Sequence, residues 1–245
     1  LRVAMQLFLE RRELSTPRYV VPNSQFIRLS LAHYYPEFAY RLTEPIVPGV
    51  VPGALRESRQ VPPDGGMVGF VGKEWLRKGL PWAVQTVAAL RRTRPNLQLC
   101  VVGPAADDVV HLFADWRGGY KLIGWSDQTH YAGFDVLLHP ARAEPYGMVI
   151  SEAMAAKVPV VISDVCGAAA HVTAASGAVL PLSAPLDAWV QALEQQLSRG
   201  DSVPPFERSW AKVAQEYEPL YSKIVDDQRR CLPLAQHASD EASIQ

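Results

Sequence analysis

Glu144-Pro145-Tyr146-Gly147-Met148-Val149-Ile150-Ser151-Glu152 is the stretch on which the fold turns. An apolar run at 134–138 precedes it and reads as a buried strand, and 150–156 follows and reads as a helix. A strand, a tight glycine-containing loop and a helix start are how an α/β fold turns backbone amides toward an anion. The loop glutamate and the helix glutamate can then face one ligand, and a ligand rich in hydroxyls supplies the donors that partly buried carboxylates need. The segment points to a sugar carried on a phosphate. A plainer explanation also exists: a helix-start glutamate favoured by the helix dipole, beside a solvated loop glutamate.

The same alternation extends on both sides. Largely apolar strand candidates lie at 67–72, 97–103, 120–124, 134–139, 158–163 and 177–180. Helical stretches lie between or after them at 80–90, 107–114, 127–132 and 186–197; Leu80, Ala83, Val84, Val87 and Leu90 form the clearest stripe. Six such strands predict an α/β fold with a Rossmann-like parallel sheet and helices on both faces.

Two regions stand outside this series. Residues 1–47 carry a helical stretch at 3–14, a short strand at 18–21 and a helix starting near Asn23-Ser24, where Ser24 suits an N-cap. They read as the end of a preceding α/β unit. Pro45, Pro48, Gly49, Pro52 and Gly53 mark a linker, and 62–66 a loop before the sheet. Residues 206–230 read as a long amphipathic helix with Trp210, Val213, Tyr217, Leu220, Tyr221 and Ile224 on one side, suited to core packing or to docking on another domain. Residues 231–245 read as a polar, frayed tail.

A chain of 245 residues holds one large domain or two small ones. Its net charge of −1 provides no bulk electrostatic footprint for nucleic acid. Cys100, Cys166 and Cys231 have neither disulfide-like nor metal-like spacing, as suits a reducing compartment. No apolar run is long enough to span a bilayer and no signal-peptide pattern opens the chain, so a cytoplasmic location is expected.

In an open parallel sheet the ligand sits beyond the carboxyl ends of the strands. Gly72 and Lys73 end the first strand and Lys78 precedes the next helix, so both lysines can reach a diphosphate. Gly103 closes the second strand, and Gly124-Trp125-Ser126 the third, where a flat base can rest. Glu144, Tyr146, the amides of Gly147, Met148 and Val149, and Glu152 complete the candidate site. His139 ends the fourth strand of the series; a buried histidine and a catalytic one are both compatible with that place. Residues 69–73 lack the third glycine of a dinucleotide-binding turn, which argues against a dehydrogenase. The other histidines form no metal-ligand spacing or triad, and no Asp-x-Asp pair occurs.

These stretches together resemble the retaining GT-B glycosyltransferases of family 4. The match runs through Phe70-Val71-Gly72-Lys73, Arg77-Lys78-Gly79, Val101-Val102-Gly103, Ile123-Gly124-Trp125, and Glu144 to Glu152 continuing into Ala153-Met154-Ala155, with Val158-Pro159-Val160-Val161 and Ser163 beyond. Leu137-Leu138-His139-Pro140 and Asp164-Val165-Cys166-Gly167 look most like the lipopolysaccharide core glucosyltransferases of that family. The resemblance covers about residues 15–225. It implies that 48–204 is a nucleotide-sugar-binding domain, 1–47 the incomplete end of an N-terminal acceptor-binding domain, and 205–230 a crossover helix.

The resemblance further implies roles: Lys73 (often arginine in the family) and Lys78 bind the diphosphate, Glu152 the ribose, Glu144 and the amides of 147–149 the donor sugar. Lys73, Lys78 and Glu144 are then the catalytic residues, Gly124 to Ser126 lie beside the base, and no metal or other cofactor is required. The implied reaction moves a hexose from a nucleoside diphosphate sugar, with UDP-glucose the expected donor, to a glycan or lipid-linked acceptor with retention. Its setting is lipopolysaccharide or cell-envelope polysaccharide synthesis, with peripheral contact at the inner membrane face. Two ordinary domains need roughly 300–400 residues, so this chain is expected to bind donor without transferring sugar by itself. A non-catalytic partner module and a sugar-nucleotide epimerase of the same fold are the alternatives.

Overall fold

Val68 and Phe70 bury against one side of their strand while Met67 and Val71 pack on the other, so both faces of the sheet are covered. This computed structural model describes residues 2–241 except 52, 57–59, 127–129 and 201, with side chains from 3 to 229. Among the described residues, one six-stranded sheet is formed by β1 (Gly65–Val71), β2 (Asn96–Val102), β3 (Tyr120–Gly124), β4 (Val136–His139), β5 (Val160–Ser163) and β6 (Gly177–Leu180). Every pairing is parallel, and the order is β3-β2-β1-β4-β5-β6. The chain builds outward from β1 to β3, then returns to the other side of β1 as β4, with Val68 beside Val136 and Gly69 beside Leu137. That reversal opens a crevice at the carboxyl ends of β1 and β4.

Helices α1 (Arg2–Ser15) and α2 (Gln25–Tyr34) come first, and α3 (Leu80–Leu90), α4 (Ala106–Val109), α5 (Met148–Ala155) and α6 (Leu186–Leu197) belong to the sheet layer. The stripe on α3 packs with Trp189, Leu193 and Leu197 of α6 against Val68, Phe70, Leu99 and Leu138. The opposite face is covered by Ile150, Ala153 and Met154 of α5 over Val102, Leu137 and Ile162. Ser24 caps α2 as expected, its Oγ accepting from the Ile27 amide at 3.1 Å.

Several expected elements take another form. The helix anticipated at 107–114 is the short α4 followed by a 3-10 turn at Val110–Phe113, in keeping with two adjacent β-branched valines. The strand expected at 18–21 reduces to one bridge, Val20 to Leu42. Of the helix placed at 127–132, residues 127–129 lie outside the described residues and Tyr131–Gly133 form a 3-10 turn. The helix expected from 206 begins later, as α7 (Trp210–Glu241). Arg208 holds the preceding segment extended, donating to the Val47 carbonyl at 2.8 Å, while its own carbonyl accepts from Val50 N at 2.7 Å.

The frayed tail expected from 231 is helical to Glu241, and 242–245 lie outside the described residues. The continuation runs through Pro233, which disfavours a helix interior, and rests on extending an existing helix being far easier than nucleating one. On the side where α7 was expected to bury its stripe, Val213 is buried whereas Trp210 and Tyr221 are 51% and 61% exposed. Asp227 of α7 pairs with Arg18 at 3.2 Å, and Lys223 lies over the Tyr19 ring.

Arg94 ties the amino end of the sheet together. Only 4% exposed, it pairs bidentately with Glu194 of α6 at 2.7 and 2.9 Å and donates to the carbonyls of Pro62 and Gly65. Replacing Arg94 with alanine strands those acceptors and opens a gap. Urea denaturation of R94A is expected to show a loss of about 2–4 kcal/mol relative to the parent chain.

Candidate functional site

The reversal of strand order sets the loop after β1 beside the loop after β4, and short contacts stitch the two together. Gly79 has φ 82°, and a Cβ there would sit 1.9 Å from the Pro140 carbonyl oxygen, so no other residue lets the loops approach this closely. The Arg142 amide donates to the Arg77 carbonyl at 2.8 Å, and the Arg77 guanidinium donates to the Ala143 carbonyl. Lys78 is thereby carried onto Glu144, with Nζ 2.7 Å from Oε2. Both side chains are largely withdrawn from solvent.

Three groups converge on that single carboxylate oxygen: Lys78 Nζ at 2.7 Å, His139 Nε2 at 3.5 Å and Arg77 Nη1 at 3.8 Å. The main chain of Glu144 is fixed as well, its amide donating to Val165 O at 3.2 Å and its carbonyl accepting from Gly167 N at 3.0 Å. Burial alone would raise the carboxyl's pKa, but the contacts with His139 and Lys78 outweigh it and hold the group at about 2. His139 is buried completely and shifts downward, because desolvation of the ring outweighs the pull of Glu144. An ionised Glu144 and a neutral His139 therefore coexist at neutral pH.

Gly147, with φ 95°, turns the chain from this loop into α5, and a Cβ there would lie 2.7 Å from Ile150 Cδ1 and 3.1 Å from Glu144 Cγ. The helix thus starts at Met148, earlier than the expected 150, and places the amides of Met148 and Val149 in its first turn, where they have no partner within the helix. Glu152 follows in the second turn, and Tyr131 donates to its Oε2 at 2.5 Å. The Tyr131 phenol is driven upward, first by burial and then by the Glu152 charge. Glu152 Oε1 has no hydrogen-bond partner among the described residues.

The remaining strand ends line up beside this pair. The Gly72 amide donates to Val102 O at 2.9 Å and the Gly103 amide to Gly124 O at 2.7 Å, which ranks the ends of β1, β2 and β3 in one row. Lys73 is exposed at the end of β1, and Trp125 is 76% exposed beyond β3. Ser126 lies 2.9 Å from His130 Nε2. Tyr146 differs from the other candidates: its ring is in the core with the hydroxyl 3.0 Å from Ser151 Oγ, so its side chain belongs to the scaffold.

Sequence reasoning did not single out Arg77 or Tyr131 as site residues, nor the contact of Ser24, whose hydroxyl donates to Pro145 O at 2.6 Å. Arg77 was legible as part of the basic pair beside Lys78. The Tyr131 contact spans 21 residues and carried no local signal. Among the described residues, no three His, Cys, Asp or Glu side chains group in a way that could hold a metal ion. No described helix is long and apolar enough to cross a membrane.

A family model described as glycosyl transferases group 1 matches residues 65–199, which hold the whole sheet and this cleft. The chain belongs to that family. The lipopolysaccharide glucosyltransferase WaaG of Escherichia coli K12 is 31% identical over 164 residues, or 62% of this chain and 42% of the relative. A GDP-mannose-dependent alpha-mannosyltransferase of Mycolicibacterium smegmatis is 34% identical over 158 residues, or 61% and 40%. The chain spans a little over half of the WaaG crystal structure, covering 57% of it and 80% of itself with a TM-score of 0.60 at 22% identity. Anabaena HepE in complex with UDP-glucose matches 84% of this chain and 64% of its own, with a TM-score of 0.65 at 17% identity. These likenesses identify the sheet as the Rossmann-like layer of a GT-B glycosyltransferase.

The depressed Glu144 carboxyl has a consequence for stability. Its folded value of about 2 lies below its ordinary 4.5, so the stability it contributes is present above pH 4.5 and is lost as pH falls toward 2. Acid unfolding followed by circular dichroism is therefore expected to show a smaller drop over that window for Glu144→Gln than for the parent chain. Equal drops would mean that Glu144 is not held ionised by its neighbours.

Proposed function

We propose that this chain is the donor-binding half of a retaining glycosyltransferase that moves a hexose from a nucleoside diphosphate sugar to a glycan or lipid-linked acceptor. The observation that carries the reading is the Lys78–Glu144 pair, 2.7 Å apart at the crevice between β1 and β4 and beside the amino end of α5. A cation, a helix start and an ionised carboxylate at one point suit a ligand that joins an anion to a polyol.

In this reading Lys73, Lys78 and the amides of Met148 and Val149 take the diphosphate, with Gly72 and Gly103 keeping the strand ends low enough for it to approach. Glu152 accepts from the ribose hydroxyls through its unengaged oxygen. Trp125 and Ser126 after Gly124 lie beside the base. Glu144 accepts from the donor sugar. During transfer the bond between the anomeric carbon and the diphosphate oxygen breaks, and an acceptor hydroxyl oxygen bonds to that carbon from the same face. Its proton passes to the departing phosphate oxygen. Stabilising that oxygen with Lys73 and Lys78 is then the main catalytic term, and no protein nucleophile takes part.

Several comparisons support a UDP-sugar donor. HepE was solved with UDP-glucose and a TarM variant with UDP, while WaaG is named a glucosyltransferase of lipopolysaccharide. The same relative supports a cell-envelope acceptor. The acceptor would be held by the part of the relatives' length that this chain does not span.

Titration calorimetry with UDP-, GDP- and ADP-sugars tests the donor reading. One sugar nucleotide is expected to bind saturably, and Glu152→Ala or Lys78→Ala to weaken it about tenfold or more, the effect of removing one charge-assisted hydrogen bond. No saturable heat from any of the three would overturn the proposal.

A further inference from the structure

His139 is a buried polar group that touches the Glu144 carboxylate but has no assigned part in holding the donor. Its ring is fully buried, and neither Nδ1 nor Nε2 has a hydrogen-bond partner among the described residues. Such orphans are rare in folded proteins and call for an explanation. The ring stacks on Phe70 with centroids 6.3 Å apart, and its Nε2 stands 3.5 Å from Glu144 Oε2, long for a hydrogen bond but in electrostatic reach.

The contacts of Glu144 suggest what the ring is for. Lys78, Arg77 and His139 all approach Oε2, which leaves Oε1 for a ligand. Of the three, Lys78 has the shortest contact, and it is also the group that a diphosphate would draw toward itself. Arg77 is already engaged with Glu74 and the Ala143 carbonyl. Once Lys78 turns to phosphate, an ionised carboxylate in this buried place needs another donor. His139 is the one set beneath it on the rigid end of β4, and contacts that are long in a free enzyme commonly tighten when ligand is in place.

We propose that His139 is a positioning residue: when Lys78 is drawn to the diphosphate, the neutral imidazole donates Nε2–H to Glu144 Oε2 and keeps Oε1 aimed at the donor sugar. This rests on Glu144 as the sugar-contacting carboxylate. The depressed pKa of the ring agrees with the neutral form. The charged and titratable groups around it are Lys78 and Arg77 from the loop after β1 and Glu144 from the loop after β4.

UDP and UDP-glucose, titrated separately into the parent chain and its variants, test the proposal. His139→Phe is expected to weaken UDP-glucose about tenfold while leaving UDP within about twofold, the loss of one hydrogen bond to a charged group. His139→Gln, which keeps a side-chain N–H, should recover most of the loss. In a Glu144→Ala background, His139→Phe should cost nothing further, because the partner is gone. Equal weakening of UDP and UDP-glucose, or an undiminished penalty without Glu144, would overturn the positioning role while leaving the donor reading intact.

A parent chain that binds neither UDP nor any sugar nucleotide of the panel would instead sink the donor reading. The imidazole nitrogen spectrum of the chain alone decides the remaining case. A neutral Nε2–H ring at pH 7 supports the role, and an imidazolium or an Nδ1–H ring overturns it. Thermal unfolding of His139→Gln close to that of the parent confirms that the variant is folded.

Discussion

The reversal of strand order between β1 and β4 is the constraint on which the rest of the molecule depends. A parallel sheet that grows outward in both directions from one strand must leave a place where neighbouring crossovers diverge, and the loops there meet over an uncovered crevice. Lys78 and Glu144 are 66 residues apart in the chain and meet only because β1 and β4 are neighbours. Their burial adds a second constraint. Withdrawing one charge from water without a partner costs several kcal/mol, so each holds the other in place, and the loops carrying them are tied by Arg77 and by the close approach of Gly79 to Pro140.

Local charge in the crevice differs from that of the whole chain. The net charge is −1, yet Lys73, Arg77, Lys78 and the amino end of α5 gather on the carboxyl side of the sheet. Glu144, which meets Lys78 and Arg77, stays ionised because its neighbours outweigh its burial. A sugar nucleotide asks for this combination. Its diphosphate needs concentrated positive charge, and its hydroxyls need acceptors that stay deprotonated in a partly dry site. In the proposed reading Lys78 exchanges partners on binding, and the imidazole of His139 then takes its place beside Glu144.

Much of this was legible in one dimension. The six strands appear as largely apolar runs, and the α3 stripe lies where its spacing put it, with Leu80 and Leu90 as its actual ends. Ser24 was readable as a cap because its chemistry acts within three residues. Long-range partners were not readable. Tyr131 on Glu152, Arg94 on Glu194 and Ser24 on Pro145 are meetings of separate segments, and no local pattern encodes them. The extent of α7 was not readable either: a polar composition suggested fraying from 231, whereas the helix runs on through Pro233 to Glu241.

The stretch from Glu144 to Glu152 shows where the division falls. Taken alone, its residues specify a tight turn at Gly147, a helix start and two carboxylates, because backbone sterics and capping act over a few residues. The surroundings of those carboxylates were set elsewhere. Packing placed Lys78 and His139 against one oxygen of Glu144 and Tyr131 against one oxygen of Glu152, and drew the Tyr146 ring into the core. Local chemistry is written along the chain, whereas the state of a charge depends on its surroundings, and only the folded sheet assembles them.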